Sequence, residues 1–367
     1  MPHAAKPSAR ASAAILASRL VGESRPGGGL SAIIESRLAT DAAGWLSPRR
    51  TRERGTVLAS TVIEASGLVK YFGDFRAVDG IDISVPQGSV YGILGPNGAG
   101  KTTTIRMLLG IIDPDEGTRS LLGSANPRSV SDRVGYLPEE RGLYPGMKAC
   151  EVIAFMGALR GLDWSAGRKR GAEMMEQVGL SRVVDEKIRK MSKGMAQMVQ
   201  LIGSIVHRPE LIVLDEPFSG LDPVNQGRLE ALIGEERARG ATIVFSTHVM
   251  AHAERLCDRL AIIAGAKRRF EGTVDEARGQ LPLEVRYTPG DGAARLDGLL
   301  PAEATRRGDS FRFPIEDHAV AAWLTRLVDS GHGVASLSIE RPGLHDAFVH
   351  IVGSDAVRDD AAMGDAK

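Results

Sequence analysis

The sequence predicts an α/β fold with a mostly parallel sheet, a helical insertion, and a small α+β domain at the carboxyl end. A glycine-rich loop at 95–103 lies between a strand-like run and a helix-like run. Apolar runs that do not alternate, such as Leu211–Leu214, are typical of strands buried on both faces of a parallel sheet. Strand patterns occur both before and after a helical stretch at about 140–210. That stretch is therefore interpreted as an insertion into the sheet.

Composition and charge are those of an ordinary globular protein. The chain has 367 residues, with 46 basic and 46 acidic side chains, so the formal net charge is zero and gives no indication of nucleic acid or an anionic membrane. Its two cysteines, Cys150 and Cys257, cannot form a disulfide framework and are expected to be packing residues. No apolar run approaches the roughly 20 residues of a membrane span. Any role at a membrane is therefore expected to need a separate partner chain.

Residues 1–60 differ in composition from the rest of the chain. They are rich in Ala, Ser, Gly and Arg and poor in acidic and aromatic residues. Such a segment cannot bury enough apolar surface to offset its ordering entropy, so we predict a disordered N-terminal extension. A short helix is possible over 11–21. The alternatives are an organellar transit peptide and an upstream start-site error, with translation beginning near Val57.

From Thr61 the pattern becomes globular, and a nucleotide-binding domain is predicted over 61–280. Alternating apolar residues predict strands at Thr61–Ser66 and Ile81–Val85. Residues 140–210 contain several capping signals and are predicted to be mostly helical. The further strands and the helix predicted for the main sheet are strands Ser89–Leu94, Arg133–Leu137, Leu211–Asp215, Thr242–Ser246 and Arg259–Ile263, and helix Thr103–Leu109.

A separate accessory α+β domain is predicted at 281–353, followed by a polar tail at 354–367. Strands are expected at Leu283–Thr288 and Val334–Glu340 and a final helix from Gly343. A helix over His318–Val328 is predicted from apolar residues at i, i+3, i+4, i+7 and i+8. The residues of that stripe are Val320, Trp323, Leu324, Leu327 and Val328.

Gly95–Thr102 match the P-loop pattern G-x-x-x-x-G-K-[ST], in the strand–loop–helix context that the motif requires. Backbone N–H groups of such a loop, at the start of a helix, bind phosphate. Lys101 can reach the β- and γ-phosphates, and the Thr102 hydroxyl can coordinate Mg²⁺. The sequence therefore predicts a nucleoside triphosphate site. Its phosphate-binding residues are Gly95, Pro96, Asn97, Gly98, Ala99, Gly100, Lys101, Thr102 and Thr103.

A pair of acidic residues follows the buried strand Leu211–Leu214. Ligands bind at the carboxyl ends of strands in open α/β sheets. Asp215 is therefore placed to hold Mg²⁺ and Glu216 to polarise an attacking water. Strands often end in acidic residues without any catalytic role, and the P-loop upstream is what favours the functional interpretation.

Ser192–Met195 open a helix, and Ser192 is a good N-cap by residue type. A Ser-x-Gly turn at a helix N-terminus offers a hydroxyl, free N–H groups and the positive end of the helix dipole to phosphate. Taken alone, an ordinary helix start explains the turn better. The buried stripe predicted for this helix consists of Met198, Leu201, Ile202 and Ile205.

These motifs, in this order, resemble the ATP-binding cassette (ABC) ATPase family over about residues 61–280. By that resemblance Ser192–Met195 correspond to the signature sequence, with Ser192 and Gly194 at the nucleotide. Ser219–Asp222 correspond to the D-loop, with Asp222 at the nucleotide. The implied fold is a P-loop NTPase core of the ABC ATPase type with a helical subdomain.

Three further positions match the family pattern and would be weak evidence by themselves. His248, after the strand Thr242–Ser246, corresponds to the switch histidine. Phe72 corresponds to the aromatic residue that stacks on adenine, with Tyr71 as the alternative. Glu139 occupies the Q-loop position, where it would be a metal ligand.

Two positions depart from the commonest family pattern. The Q-loop position holds Glu139 in place of glutamine, and a carboxylate coordinates Mg²⁺ more strongly than an amide. The signature reads Ser-Lys-Gly-Met, which adds the cation of Lys193 and removes an amide at Met195. Both variants, together with the run 138–144 and the segment 339–348, resemble a subgroup that serves type-2 ABC exporters.

The resemblance implies a dimer of ABC ATPase subunits with two ATP molecules and Mg²⁺ at the interface. Lys101, Glu216 and His248 would act catalytically from one protomer, and Ser192 and Asp222 would meet the same nucleotide from the other. It also implies a separate transmembrane permease, contacted through residues around Arg141–Cys150 and the helical insertion, at the cytoplasmic face of the membrane. The alternative is a non-transport ABC ATPase that acts on nucleic acid or the ribosome.

Overall fold

In a computed structural model, which describes residues 60–140, 142–290 and 298–353, strands and helices alternate along most of the chain. The strands are β1 (Thr61–Phe72), β2 (Phe75–Pro86), β3 (Val90–Leu94), β4 (Glu116–Leu121), β5 (Val134–Leu137), β6 (Leu211–Leu214), β7 (Thr242–Thr247), β8 (Arg259–Ala264), β9 (Lys267–Thr273), β10 (Leu283–Pro289), β11 (Thr305–Arg307), β12 (Ser310–Ile315) and β13 (Val334–Glu340). The α-helices are α1 (Lys101–Leu108), α2 (Ala149–Ala158), α3 (Trp164–Gln177), α4 (Lys193–Ile205), α5 (Pro223–Ala238), α6 (Met250–Leu256), α7 (Val274–Arg278), α8 (Val320–Asp329) and α9 (Leu344–Val352).

The main sheet has the strand order β5-β6-β7-β3-β8-β9. The first five strands are parallel, and β9 is antiparallel at the edge. Strands β3, β6 and β7 are buried along their whole length, which explains their unalternating apolar sequences. The predicted α/β fold is confirmed. Because parallel strands end at the same edge of the sheet, the P-loop, Asp215 and His248 come together there.

A second, antiparallel sheet in the order β2-β1-β4 packs over one side of the core. Its strands are longer than predicted, since β1 and β2 pair as a hairpin from Thr61↔Pro86 to Phe72↔Phe75. Side chains of this sheet, the main sheet and α1 share one apolar cluster, as Ile83, Ile93 and Ile105 illustrate. The hairpin turn lies beside the P-loop, since Phe72 and Phe75 line one cleft with that loop.

The predicted helical stretch contains α2, α3 and α4, and two short 3₁₀ turns lie between α3 and α4. Ser192 is the N-cap of α4, where its Oγ accepts a hydrogen bond from the N–H of Met195 at 3.2 Å. Every residue of the predicted α4 stripe is buried. The helices pack against the side of the main sheet formed by residues such as Ile243 and Phe245. No helix in the described ranges is long and apolar enough to cross a membrane.

A four-stranded sheet in the order β11-β12-β10-β13 follows the main sheet in the chain. Helix α8 covers one face, where Trp323 and Leu327 pack on Val285 and Phe313. The Trp323 indole N–H donates to the carbonyl of Leu299 at 2.9 Å. Val328 departs from the predicted stripe, because 41% of it is exposed.

Helix α9 follows this sheet in sequence but packs on the elements of the main sheet. Leu344 and Phe348 lie in one apolar cluster with Met250 and Ala253 of α6. The predicted domain limits remain predictions, and α9 shows that the two units share contacts. The predicted N-terminal extension, apart from Ser60, and the predicted tail at 354–367 lie outside the described residues.

Candidate active site

The P-loop passes so close to neighbouring backbone that two of its glycines cannot be replaced without a clash. A Cβ atom on Gly95 would lie 2.1 Å from the carbonyl oxygen of Ile263, and one on Gly100 would lie 2.5 Å from that of Ala77. Gly100 also has φ of 101°, in the region that favours glycine. The loop borders an open cleft of about 270 Å³. The cleft is lined by Phe72, Phe75, Ala77, Pro96, Asn97, Gly98, Ala99, Gly100, Lys101, Thr102, Thr103, Glu139 and Glu216.

The Lys101 ammonium lies at the base of this cleft and is almost completely buried. Its Nζ donates to the carbonyl oxygens of Gly95 at 2.7 Å and Pro96 at 3.0 Å. It also lies 3.2 Å from Oε1 of Glu216. The loop therefore holds a desolvated cation beneath its own N–H groups, which is an arrangement that favours anionic phosphate.

Asp215 is buried at the end of β6 and accepts two hydrogen bonds on one oxygen. Ser246 Oγ donates to Oδ1 at 2.6 Å and Thr102 Oγ1 at 3.1 Å. Its Oδ2 is buried and has no hydrogen-bond partner within the described ranges. Burial raises the pKa of this carboxyl above its ordinary value, against the lowering effect of the two hydroxyls. An unsatisfied carboxylate oxygen beside a threonine hydroxyl is a donor set that suits Mg²⁺.

Glu216 is held by a strained backbone and by contacts on both sides of its carboxylate. Its φ is 47°, in the left-handed region that is unfavourable for a residue with a Cβ. The Glu216 N–H donates to Ser246 Oγ at 2.8 Å. Oε2 lies 3.0 Å from Nδ1 of His248, and Oε1 faces Lys101. The His248 side chain is 45% exposed and does not line the cleft, so it contacts the buried carboxylate from the solvent side.

The cleft wall opposite the P-loop is aromatic. Phe72 and Phe75, which pair across the hairpin turn, are 53% and 64% exposed and both line the cleft. Tyr71, the alternative to Phe72, does not line it, and its ring instead lies 5.4 Å from the guanidinium carbon of Arg76. Sequence reasoning missed Phe75. The signal was the pair of phenylalanines flanking a two-residue Gly-Asp turn.

Two glutamines tie α4 to the segments that carry the acidic residues. Gln197 Nε2 donates to the carbonyl of Pro217 at 2.7 Å, directly after Glu216. Gln200 Nε2 donates to the carbonyl of Glu140 at 3.3 Å, directly after the exposed Glu139. Glu139 itself lines the cleft. These two hydrogen bonds therefore fix the position of α4 relative to both segments.

Ser192, Gly194 and Asp222 form a second group that does not line the cleft, in which Ser192 and Asp222 are exposed and Gly194 is half-buried. The Asp222 carboxylate caps α5, accepting from the N–H and the side-chain amide of Asn225 at 3.0 and 2.7 Å. A Cβ on Gly194 would lie 3.2 Å from that same amide nitrogen. The starts of α4 and α5 are therefore neighbours. One copy of the chain brings the P-loop, Asp215, Glu216 and His248 together and leaves this group apart.

Ser246 is a second site residue that sequence reasoning did not assign. Its hydroxyl accepts from the Glu216 N–H and donates to the Asp215 carboxylate, so it fixes both acidic residues. Its position in β7, two residues before His248, was the available signal.

Comparison with known proteins gives matches over the region that contains this site. The family model described as ABC transporter matches residues 78–219. The ABC transporter ATP-binding protein YhaQ of Bacillus subtilis is 35% identical over 291 residues, covering 78% of this chain and 97% of that protein. The Nod factor export ATP-binding protein I of Ralstonia nicotianae is 33% identical over 312 residues, 82% of this chain and 97% of that protein. The daunorubicin/doxorubicin resistance ATP-binding protein DrrA of Streptomyces peucetius is 38% identical over 247 residues, 66% of this chain and 75% of that protein.

Comparison with solved structures also gives ATP-binding proteins of ABC transporters. The structure of an ATP-binding subunit of an ABC transporter superposes with a TM-score of 0.56 at 30% identity, covering 60% of this chain and 93% of that one. An ATP-binding cassette in its ADP conformation superposes with a TM-score of 0.53 at 24% identity, covering 59% and 92%. The second likeness supports the fold alone.

Proposed function

This chain belongs to the ABC transporter family of ATP-binding proteins, and on that premise we propose that two copies close around ATP and Mg²⁺ to drive export through a separate permease. The observation that carries this proposal is the convergence of Lys101, Asp215, Glu216 and His248 at one edge of the sheet. The proposed location is the cytoplasmic face of the cell membrane. ATP hydrolysis by the subunit is a property of the family.

The P-loop binds the triphosphate through its N–H groups and Lys101, with the purine against Phe72 and Phe75. Thr102 and Asp215 would hold Mg²⁺, with Glu139 as a further oxygen donor at the cleft. When bound, Mg²⁺ would offset the negative charge of the phosphate oxygens. Glu216 orients the water that attacks the γ-phosphorus and accepts its proton, while the bond from the γ-phosphorus to the ADP oxygen breaks and ADP leaves. His248 fixes the Glu216 carboxylate.

The second half of the site is proposed to come from another copy of the chain. Ser192, Gly194 and Asp222 are grouped together, outside the cleft, at the exposed starts of α4 and α5. A helix N-terminus with a capping serine can accept phosphate. A head-to-tail pair would place this group over the γ-phosphate of the other copy, so that ATP favours the closed pair and its hydrolysis removes that preference.

Mixing two inactive variants tests this arrangement. Lys101→Ala removes the phosphate-binding cation, and Ser192→Asp keeps a good N-cap while placing a carboxylate against phosphate. Each variant alone should be inactive, since both sites of its dimer are damaged. A mixed dimer has one intact site, so the mixture should hydrolyse ATP. If the mixture is no more active than either variant, Lys101 and Ser192 do not act on one nucleotide from different copies.

We propose that the permease docks at the groove between the main sheet and the helical insertion. Two adjoining cavities of about 290 and 320 Å³ share Tyr136 and Arg160. Arg160 spans the groove by donating to the carbonyl of Ser131 at 2.7 Å. Ile111 and Leu159 beside it are 50% and 68% exposed, so the groove offers apolar surface to a permease helix. The predicted contact region at 141–150 includes exposed Tyr144, whereas Arg141 lies outside the described residues.

Co-expression with each permease encoded beside this chain tests the docking site. Leu159→Asp should abolish recovery of the subunit with membranes that contain the permease, while its ATPase activity in solution is unchanged. Val328→Asp, an equally drastic change at an exposed position of α8, should leave recovery intact. Equal loss for both variants would exclude the groove as the docking site.

A further inference from the structure

The open face of the C-terminal sheet carries a regular grid of polar side chains, independent of the proposed transport function. Helix α8 covers the other face, so alternate residues of each strand point to this side. Strand register places Arg307, Ser310, Thr288 and Ser336 in one row across β11, β12, β10 and β13. The next row contains Arg312, Arg286 and Ser338. Residues of both rows line an open cleft of about 550 Å³.

Three members of the first row form a continuous chain of hydroxyl groups. The Thr288 hydroxyl lies 2.8 Å from that of Ser310, and Ser336 Oγ donates to it at 2.9 Å. Linked hydroxyls on three adjacent strands present both donors and acceptors to a ligand. Such a row suits the hydroxyl groups of a polyol.

The second row contains two neighbouring arginines, and this pairing of like charges is unfavourable for the stability of the sheet. Arg286 and Arg312 are direct cross-strand partners. Glu284 pairs with both guanidinium groups, which lowers the pKa of its carboxyl even though burial acts in the opposite direction. Both guanidinium groups are therefore held on this face, where they already contact the carboxylate of Glu284.

Arg307 adds a third guanidinium at the end of the hydroxyl row. No carboxylate pairs with it among the residues that the structure describes, and it lines the cleft together with the other two arginines. The acidic residue in the lining is Glu340. The cleft therefore has a surplus of positive charge, which Glu284 reduces without removing.

We propose that this face binds a small soluble phosphorylated polyhydroxy compound, of the size of a sugar phosphate. A phosphate monoester supplies close to two negative charges and three acceptor oxygens, which match guanidinium forks. The hydroxyl row binds the polyol part. The cleft volume is in the range of small-molecule sites. The small charge surplus distinguishes the face from the basic clusters that hold proteins on anionic membranes.

Calorimetric titration of the full chain with ribose 5-phosphate tests the proposal, in the presence of saturating ADP so that the P-loop is occupied. Ribose 5-phosphate should bind with one site per chain, and ribose without phosphate should not. Arg307→Gln should weaken binding by about tenfold or more, since it removes charge-assisted hydrogen bonds to phosphate. The double variant Arg286→Gln with Arg312→Gln should abolish it.

Arg306→Gln is the matched control. Its guanidinium donates to the carbonyl of Gly308 and lies 5.8 Å from the ring centre of Phe311, and it does not line the cleft. Binding should be unchanged in this variant. Absence of binding to the unmodified chain overturns the proposal, as does equal weakening by Arg306→Gln and Arg307→Gln. Binding to phosphatidylserine vesicles in place of ribose 5-phosphate would overturn it in favour of a membrane surface.

Discussion

Nζ of Lys101 lies 3.2 Å from Oε1 of Glu216, and both side chains are buried. The lysine is assigned to the phosphates and the glutamate to the attacking water, so a single ion pair links the two functions. We expect a phosphate that enters the cleft to replace this carboxylate as the partner of the Lys101 ammonium. The Glu216 carboxylate would then keep its contact with His248, whose Nδ1 lies 3.0 Å from Oε2, and would be free to bind water. We therefore expect phosphate binding to release Glu216 from its ion pair with Lys101.

Glu216→Gln should separate nucleotide binding from hydrolysis. The amide cannot accept the proton of water, so turnover should fall by about 10²- to 10⁴-fold. ATP affinity should be retained or increased, because a negative charge beside the phosphates is removed. Steady-state ATPase assays and light scattering should show a dimer that forms with ATP and persists.

Glu235→Gln, at an exposed position of α5, is the control for loss of one negative charge and should behave as the unmodified chain does. Unmodified turnover in Glu216→Gln would exclude the role assigned to this carboxylate.

Asp215→Asn should stabilise the metal-free protein at neutral pH. The folded-state pKa of Asp215 is raised, so its ionised form destabilises the fold above that pKa. This penalty disappears as the pH falls through the raised pKa towards the ordinary value of aspartate. Thermal melts without Mg²⁺ should therefore show a higher Tm for the variant at neutral pH and convergence in acid.

The same variant should lose the additional stabilisation that Mg²⁺ gives to the unmodified chain in the presence of ATP. Asp132→Asn, at an exposed position, is expected to change neither property. A variant that melts below the unmodified protein at neutral pH without metal would contradict the destabilising effect of buried Asp215.

Local sequence was sufficient to predict the central part of the site, since strand, loop, helix and acidic pair are each short-range patterns. The P-loop, Asp215 and His248 meet because parallel strands end at one edge, which follows from the unalternating apolar runs. Ser246 and Phe75 were not assigned because their roles depend on neighbours distant in the chain or across a turn.

The hairpin of β1 and β2 shows a second limit of sequence reasoning. The predicted strands at Thr61–Ser66 and Ile81–Val85 are only the regular parts of two twelve-residue strands. Register shifts interrupt the alternation, and Gly67 has φ of 61° with its N–H donated to Asp82 Oδ1 at 2.8 Å. A bulge of this kind hides the period-two pattern that identifies a strand.

Phe72→Ala and Phe75→Ala should each weaken ATP binding by about tenfold, because stacking on a base contributes roughly 1–3 kcal/mol. Binding of inorganic triphosphate should be unaffected, since it has no base. Tyr71→Ala should leave ATP affinity unchanged because that ring packs near Arg76. Titration of all three variants with both ligands distinguishes the two aromatic assignments. Loss of ATP binding in Tyr71→Ala alone would reverse them.

Glu139→Gln should leave ATPase activity largely intact. The residue is exposed at the edge of the cleft, and a glutamine oxygen can replace one carboxylate oxygen as a neutral ligand. The magnesium dependence of turnover should shift to higher concentration, because an amide binds the ion less strongly. Measurement of ATPase rates over a Mg²⁺ titration checks this. A collapse of activity at saturating Mg²⁺ would show that the carboxylate itself is needed.

Helix α9 should support the active site through α6, which begins two residues after His248. Leu344 is fully buried against Met250, Ala253 and Leu260. Leu344→Ala should lower the free energy of unfolding by about 2–5 kcal/mol. It should also reduce ATPase activity under conditions where the variant remains folded, because α6 loses the surface on which it packs. Urea denaturation and ATPase assays on one preparation check both effects. His345→Ala, exposed on the same helix, is the control, and equal behaviour of the two variants would show that α9 does not support α6.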